Sequence, residues 1–344
     1  MGSVSAADVA KLAQVSVVTV SRAFNDSPMV TQATKERVLA VARELGYRPN
    51  PVARALRQQR ANSLAIVMTA VHLSGPFYAD MLAGLHKVVH ERELSVLLAV
   101  APRGDDGPDW VNQFVRGAAF DGLVLHHDLV RKMGIAKFKE FHFPAIAAGL
   151  IPQPQAKEEQ ICCVGFDHPS AIAQAVRYLI EIGHRKVGYF DIPQRVRPSS
   201  REATFRKEMA DAGVAINEDW LTCCWSDDNP ATGMEAIRKV LAGPPPYPSA
   251  VICGTDLIAA GTIEGARASG LRVPEDLSVI GYGDGPWAAL MHPPLTTIHQ
   301  RGWNLGVALA EKILALCDGV PGAEESHILP MPLVVRGTTL GIAL

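Results

Sequence analysis

Long apolar runs are missing from this chain of 344 residues: no stretch approaches the roughly 18 residues needed to span a bilayer. The first residues also lack a charged, then apolar leader with a small-residue cleavage site. These absences set an expectation of a cytoplasmic protein with no membrane partner. Cysteine is scarce, six in all, and four form the adjacent pairs Cys162–Cys163 and Cys223–Cys224. Neighbours on a strand point to opposite faces, so neither a disulfide framework nor a CxxC metal knuckle is indicated. Catalytic signatures are missing as well: the chain has no GxGxxG after its first strand, no GxxxxGK[ST], no GxSxG and no HExxH. No cofactor and no metal are therefore expected. His126 and His127 adjoin at a strand end, where adjacent side chains diverge and no metal-ligand partner is suitably spaced.

Net charge is small too, formally −2, but it is unevenly spread. Residues 1–60 hold nine Lys/Arg against four acids, a head of +5, which leaves −7 on the remainder. A short basic head on an acidic body points to an anionic partner met by the head alone. The length exceeds what one core organises, so two or three domains are expected.

The head begins "SAADVAKLAQVSVVTVSRAFN", residues 5–25. Ser5 is a helix N-cap complemented by Asp8, and Val9, Leu12 and Ala13 give a first helix one apolar stripe. Ser16 can cap a second helix in which Val20 and Phe24 face inward, while Val18 and Arg22 project from another side. A third helix starts at Thr31, carries Val38, Val41, Ala42 and Leu45, and stops at Gly46. This is helix-turn-helix geometry. A helix start offering methyl groups and a guanidinium can enter the major groove, where valine meets thymine methyls and arginine bonds guanine edges. The bland alternative is a helical cap on the next domain.

After Gly46, "YRPNPVARALRQQRANS" has two prolines and then an arginine-rich helical pattern, a linker able to fold against a partner. Leu56 there is either a minor-groove wedge or part of an inter-domain contact. From Ser63 onward apolar strands alternate with amphipathic helices. The strands are 64–68, 95–100, 121–126, 144–148, 186–190, 249–253 and 277–282, and the helices include 78–92, 170–182, 232–241 and 256–269. Such alternation predicts parallel sheets covered on both faces, here two doubly wound lobes with a ligand cleft at the carboxyl ends of the strands.

The phrases "DVAKLAQVSVVTVSRAFN" and "VTQATKERVLAVARELGYRPNPVARALR" resemble the head and hinge of the LacI/GalR family of bacterial transcriptional regulators. "PFYADMLAGL", "YLIEIGHRKVGYF", "GLRVPEDLSVIGYGD" and "PPLTTIHQ" extend the likeness along the body. One departure is Gln14, where the family usually has glycine, so the turn is expected to be slightly strained or differently shaped. The resemblance implies an all-α head over 1–48, a hinge over 49–62, and a periplasmic-binding-protein-like body over 63–344. It also implies three connections between the lobes, with the segment around Leu333–Arg336 returning to the second. On this likeness Val17, Val18 and Arg22 read bases, and Ser16, Thr19, Ser21 and Asn25 contact phosphate or cap. Ala53 and Leu56 belong to a hinge helix that pairs across a homodimer at the operator centre. The tail stops without a heptad extension, which favours a dimer over a tetramer.

By position in the family phrases, Phe77, Tyr78, His126, Arg201, Trp225, Asp256 and Asp284 line the effector pocket. An aromatic platform with an arginine and carboxylates suits a sugar or sugar acid. Phe77 and Trp225 are alternatively core, and Asp256 a helix N-cap. Where the family often has two aspartates, this chain has Gly283 then Asp284. Losing the first carboxylate removes a hydroxyl acceptor and leaves Arg201 less neutralised, which tilts the expectation toward an acidic or less hydroxylated ligand. The implied function is a repressor of double-stranded operator DNA whose affinity a small effector controls, with the inducer mode preferred. A solute-binding protein would share the body but have no use for the basic head, and an α/β sugar enzyme would need the catalytic residues that are missing.

Overall fold

The computed structural model describes residues 4–24, 27–47, 61–69, 75–102, 106–149, 160–191, 199–223 and 229–342. The chain divides into two compact units, residues 1–62 and 63–344. In the first, α1 (Ala6–Leu12), α2 (Val17–Phe24) and α3 (Gln32–Glu44) enclose a small core of Val9, Ala10, Ala13, Val20, Ala23, Val38 and Ala42. The cap predicted at Ser5 is present, and Thr31, expected as the first residue of the third helix, is its N-cap. Ser5 and Asp8 form a reciprocal capping box. Gln14 has φ of +53° in the turn between α1 and α2. A side chain there is disfavoured where glycine would be at ease, so of the two outcomes expected from the departure the turn is strained.

The second unit begins with β1 (Ser63–Thr69), α4 (Pro76–Glu91), β2 (Ser95–Ala101), α5 (Gly107–Gly117), β3 (Gly122–His126), α6 (His127–Met133), α7 (Ile135–Lys139), β4 (Ala145–Ala148) and β5 (Cys163–Phe166). The chain then leaves the first sheet. It continues with α8 (His168–Glu181), β6 (Val187–Asp191), α9 (Ser200–Asp211), β7 (Leu221–Cys223), α10 (Pro230–Ala242), β8 (Ala250–Cys253), α11 (Asp256–Ala268), β9 (Ser278–Gly283) and β10 (Thr296–His299). Next, α12 (Gly302–Cys317) and β11 (His327–Leu329) return to the first sheet, and β12 (Leu333–Val334) joins the second. The sheet orders are β11-β5-β4-β3-β1-β2 and β12-β10-β9-β8-β6-β7. Every pairing is parallel except β12, which runs antiparallel to β10 with Ile298 opposite Leu333. The lobes are thus linked three times, after β5, β10 and β11.

Both sheets are covered on both faces, which is why their strands read as nearly unbroken apolar runs. Alternate residues of β1 separate accordingly: Leu64, Ile66 and Met68 enter one core with α4 and α12, and Ala65 and Val67 enter another with Val111 and Leu129. Cys162 and Cys163 divide in the same way between these two cores, as adjacent residues in extended chain must. Helices α4 and α12 pack backbone to backbone. A Cβ on Gly306 would lie 1.9 Å from the Met81 carbonyl oxygen, so only glycine permits that approach.

Candidate functional site

On the head, the start of α2 carries the exposed side chains of Val17 and Val18, 49% and 57% accessible, beside an exposed Arg22 one turn on. Val20 and Ala23, on the opposite side of the same helix, are buried. The Ser16 hydroxyl accepts the Thr19 backbone N–H at 3.1 Å and lies 2.8 Å from the Thr19 hydroxyl. It fixes the helix start and leaves the valines facing outward. Ser21 is half-buried. Asn25, Ala53, Leu56 and Trp225 lie outside the described residues.

In the second unit three strands end on polar site residues, β3 on His126, β6 on Asp191 and β10 on His299. Each departs from an apolar strand at its carboxyl end, where doubly wound sheets bind ligands. Phe77 and Tyr78, in the first turn of α4, meet edge to face at 5.0 Å, and Phe77 also packs on Phe166 at the end of β5. The Tyr78 hydroxyl is 3.4 Å from His126 Nε2. Burial, and then the charge of Asp128, hold the Tyr78 hydroxyl above its ordinary titration range.

Arg201, one residue into α9, is stacked over the Tyr282 ring at 5.0 Å and bonds Asp191 Oδ1 at 2.9 Å and the Gly254 carbonyl at 3.1 Å. Asp191 closes β6, is 3% exposed, and takes a second bond from the Tyr189 hydroxyl at 2.8 Å. This pair overturns the expectation of an under-neutralised Arg201. The compensating carboxylate comes from the end of β6 and not from the turn that holds Gly283. His168 Nδ1 bonds the Tyr282 hydroxyl. Burial, followed by the Arg201 charge, pulls its imidazole down to about 4, so it is neutral at physiological pH.

Asp256 does not cap α11; the Thr255 hydroxyl does, accepting the Ile258 N–H. Asp256 is buried and accepts the Thr297 hydroxyl at 2.5 Å and the Gly285 N–H at 2.7 Å, joining α11 to β10 and to the turn after β9. Burial raises its pKa. Asp284, at φ of +55°, is held between His299 Nδ1 at 2.6 Å and Arg336 Nη2 at 2.8 Å. Both carboxylates thus already have partners within the fold.

A further correction concerns His126 and His127. Their rings approach to 4.3 Å between centroids instead of diverging. The strand ends at His126 and α6 begins at His127, so the alternation that would separate them stops between the two. Asp191, His168, Tyr282 and Tyr189 were missed from sequence. Asp191 had a signal, a carboxylate directly after the apolar run "KVGYF".

A small three-helix head bearing an exposed apolar and basic helix start, followed by a body of two doubly wound sheets, has the make-up of a ligand-linked DNA-binding regulator. Comparison with known proteins agrees. Residues 6–50 match the model of bacterial regulatory proteins of the lacI family, and residues 176–339 that of a periplasmic binding protein-like domain. The HTH-type transcriptional repressor PurR of Escherichia coli O139:H28 (strain E24377A / ETEC) is 31% identical over 301 residues, 87% of this chain and 86% of that protein. The structure of the transcriptional regulator CelR in complex with cellobiose has TM-score 0.69 at 29% identity, covering 97% of this chain and 99% of that one. The lac repressor dimer bound to operator and the anti-inducer ONPF has TM-score 0.81 at 24% identity, covering 99% and 100%. The chain belongs to the lacI family of bacterial regulatory proteins. It is a DNA-binding transcriptional regulator, not an enzyme.

Proposed function

We propose that this regulator is a cytoplasmic homodimeric repressor whose hold on a pseudo-palindromic operator is released by a neutral, hydroxylated ring, a sugar in the first instance, bound between its lobes. The observation that carries the ligand class is the Arg201–Asp191 pair. An arginine already bonded to a carboxylate offers a ligand hydroxyl a donor without demanding an anion. Aromatic faces at Phe77 and Tyr78 suit the apolar side of such a ring. CelR, a relative, has been captured with cellobiose, a neutral sugar. His126, Asp256, Asp284 and Trp225 complete the proposed lining.

For the DNA, Val17, Val18 and Arg22 read bases, with Ser16, Thr19, Ser21 and Asn25 at the phosphates and Ala53 and Leu56 in a hinge between the 1–48 head and the 63–344 body. The proposed dimer uses β2, an outer strand of its sheet on which Leu97, Leu98 and Val100 are exposed. An apolar edge of that kind favours a covering partner. Two lobe arrangements that differ in ligand affinity by about 1–3 kcal/mol give roughly 5–150-fold control of operator affinity.

The test has two arms. Fluorescence anisotropy on duplex DNA across a salt series reads the head, and binding that does not weaken with salt contradicts DNA recognition by its basic residues. A thermal-shift panel of neutral sugars, sugar acids and nucleobases reads the cleft, with a shift of about 2.7 kcal/mol expected at 100 times the dissociation constant. Stabilisation by sugar acids alone would overturn the neutral-ligand assignment.

A further inference from the structure

We propose that His126, His127 and Asp128 form a binding site for a divalent transition metal of the zinc class at the junction of β3 and α6. The three residues bring one ligand atom each to within 4.8 Å of one another. His127 Nε2 is 3.4 Å from Asp128 Oδ1, and His126 Nδ1 is 3.8 Å from Asp128 Oδ2. Ligand atoms about 2.0–2.1 Å from a tetrahedral ion stand roughly 3.3 Å apart, so the set, within 4.8 Å, closes around one ion when its side chains draw together by up to about 1.5 Å.

His127 presents a lone pair for ligation, and that of His126 is engaged by one long bond. His127 Nδ1 is 3.2 Å from the Ala148 carbonyl oxygen, which can only accept, so the ring proton sits on Nδ1 and Nε2 carries the lone pair. His126 Nδ1 receives the Asp128 backbone N–H at 3.3 Å, which can only donate, so its lone pair is on Nδ1 and its proton on Nε2, toward the Tyr78 hydroxyl. A carbonyl or hydroxyl on the distal nitrogen is the usual outer partner of a metal-bound histidine. Arg131 bonds Asp128 Oδ1, and Asp128 Oδ2 lies 3.8 Å from His126 Nδ1. Metal at His126 Nδ1 takes the place of the long bond from the Asp128 N–H.

Two imidazoles and one carboxylate suit zinc, cobalt or iron(II) over magnesium or calcium, which prefer oxygen alone. Three protein ligands leave a fourth position for water or for an oxygen of a bound molecule. The burial gradient provides a path to solvent, from His126 with 6% of its side chain exposed to Asp128 with 38%.

The experiment titrates chelator-treated full-length protein with zinc by calorimetry and with cobalt(II) by visible absorption, which reports tetrahedral geometry. One equivalent per chain and a tetrahedral cobalt spectrum are expected. His127→Gln and Asp128→Asn should each weaken binding by roughly tenfold or more, with the metal-free Tm recorded to show that the variants fold. As a control, the exposed stacked pair His86 and His90 on α4 is replaced by alanine. Stoichiometric binding that survives His127→Gln, or that is lost with His86 and His90, overturns the assignment, as does the absence of binding to the parent protein. Neither readout uses an effector or DNA, so the outcome is independent of the proposed ligand class.

Discussion

Removing the carboxylate of Asp191 is the most informative perturbation of the cleft. The residue is 3% exposed and its two oxygens hold Arg201 and the Tyr189 hydroxyl. Asp191→Ala leaves a guanidinium with 15% of its side chain exposed and no counter-charge from β6. Breaking a buried pair in this way costs about 3–5 kcal/mol. For a unit of this size that is a fall in Tm of roughly 6–20 °C. Arg201→Ala costs less, because an orphaned carboxyl can take up a proton and become neutral. The double variant carries neither stranded charge and should recover about 1–3 kcal/mol relative to the sum of the single changes. Differential scanning calorimetry on the four proteins measures this cycle, and additivity within about 0.5 kcal/mol would refute the pairing argument. The isosteric Asp191→Asn carries the same argument to function. It keeps an acceptor for Arg201 but removes the neutralising charge, so sugar acids should gain stabilising power over neutral sugars. An unchanged preference between the two classes would mean that Arg201 does not face the ligand.

Other expectations follow from single sites. Arg22→Ala should lose about 1–3 kcal/mol of operator affinity at one base position, read by anisotropy on singly substituted duplexes; equal loss on all sequences assigns Arg22 to phosphate. Leu56→Ala should weaken specific operator binding while effector affinity measured by calorimetry stays the same, and full operator affinity in that variant counts against a wedge. His168 titrates near 4 when folded because burial and then Arg201 disfavour its cation, against about 6.5 in the unfolded chain. Its contribution is therefore complete above pH 6.5 and is lost as pH falls toward 4, by no more than about 3 kcal/mol. Urea melts between these limits should show a shallower pH slope for His168→Gln. Gly306→Ala sets a Cβ 1.9 Å from the Met81 carbonyl oxygen and should destabilise the body by about 1–3 kcal/mol or more in the same melts.

The features legible in the sequence are those governed by local rules. Capping at Ser5, the helix start at Thr31, strain at Gln14 and the switch from helical to strand periodicity at Ser63 each depend on residues within a few positions of one another. The strands expected at 64–68, 95–100 and 249–253 are found to within a residue at either end; burial on both faces gives the first and third unbroken apolar runs, whereas β2 is apolar but exposed at Leu97, Leu98 and Val100. Strand β11 was not visible: two of its three residues are exposed, and its place is set by pairing with Val164–Phe166, far away in the chain. Helix α12 likewise owes its position to contact with α4, through a glycine whose role appears only when Met81 is beside it.

The cleft shows a sharper limit, since electrostatic pairing is set by space and not by sequence separation. Arg201 and Asp191 are ten residues apart, but their meeting depends on where α9 starts relative to the end of β6. Asp284 and Arg336 are brought together by β12 returning antiparallel beside β10. A family pattern supplies the position of an arginine or a carboxylate, whereas its chemical availability depends on its partners. The absence of the first aspartate, at Gly283, suggested a less neutralised Arg201, and the end of a different strand supplies the carboxylate that pairs with it. The proposed ligand class rests on the pairing of Arg201 with Asp191. By the same reasoning, the junction of β3 and α6 brings together two histidines that strand alternation alone would have kept apart.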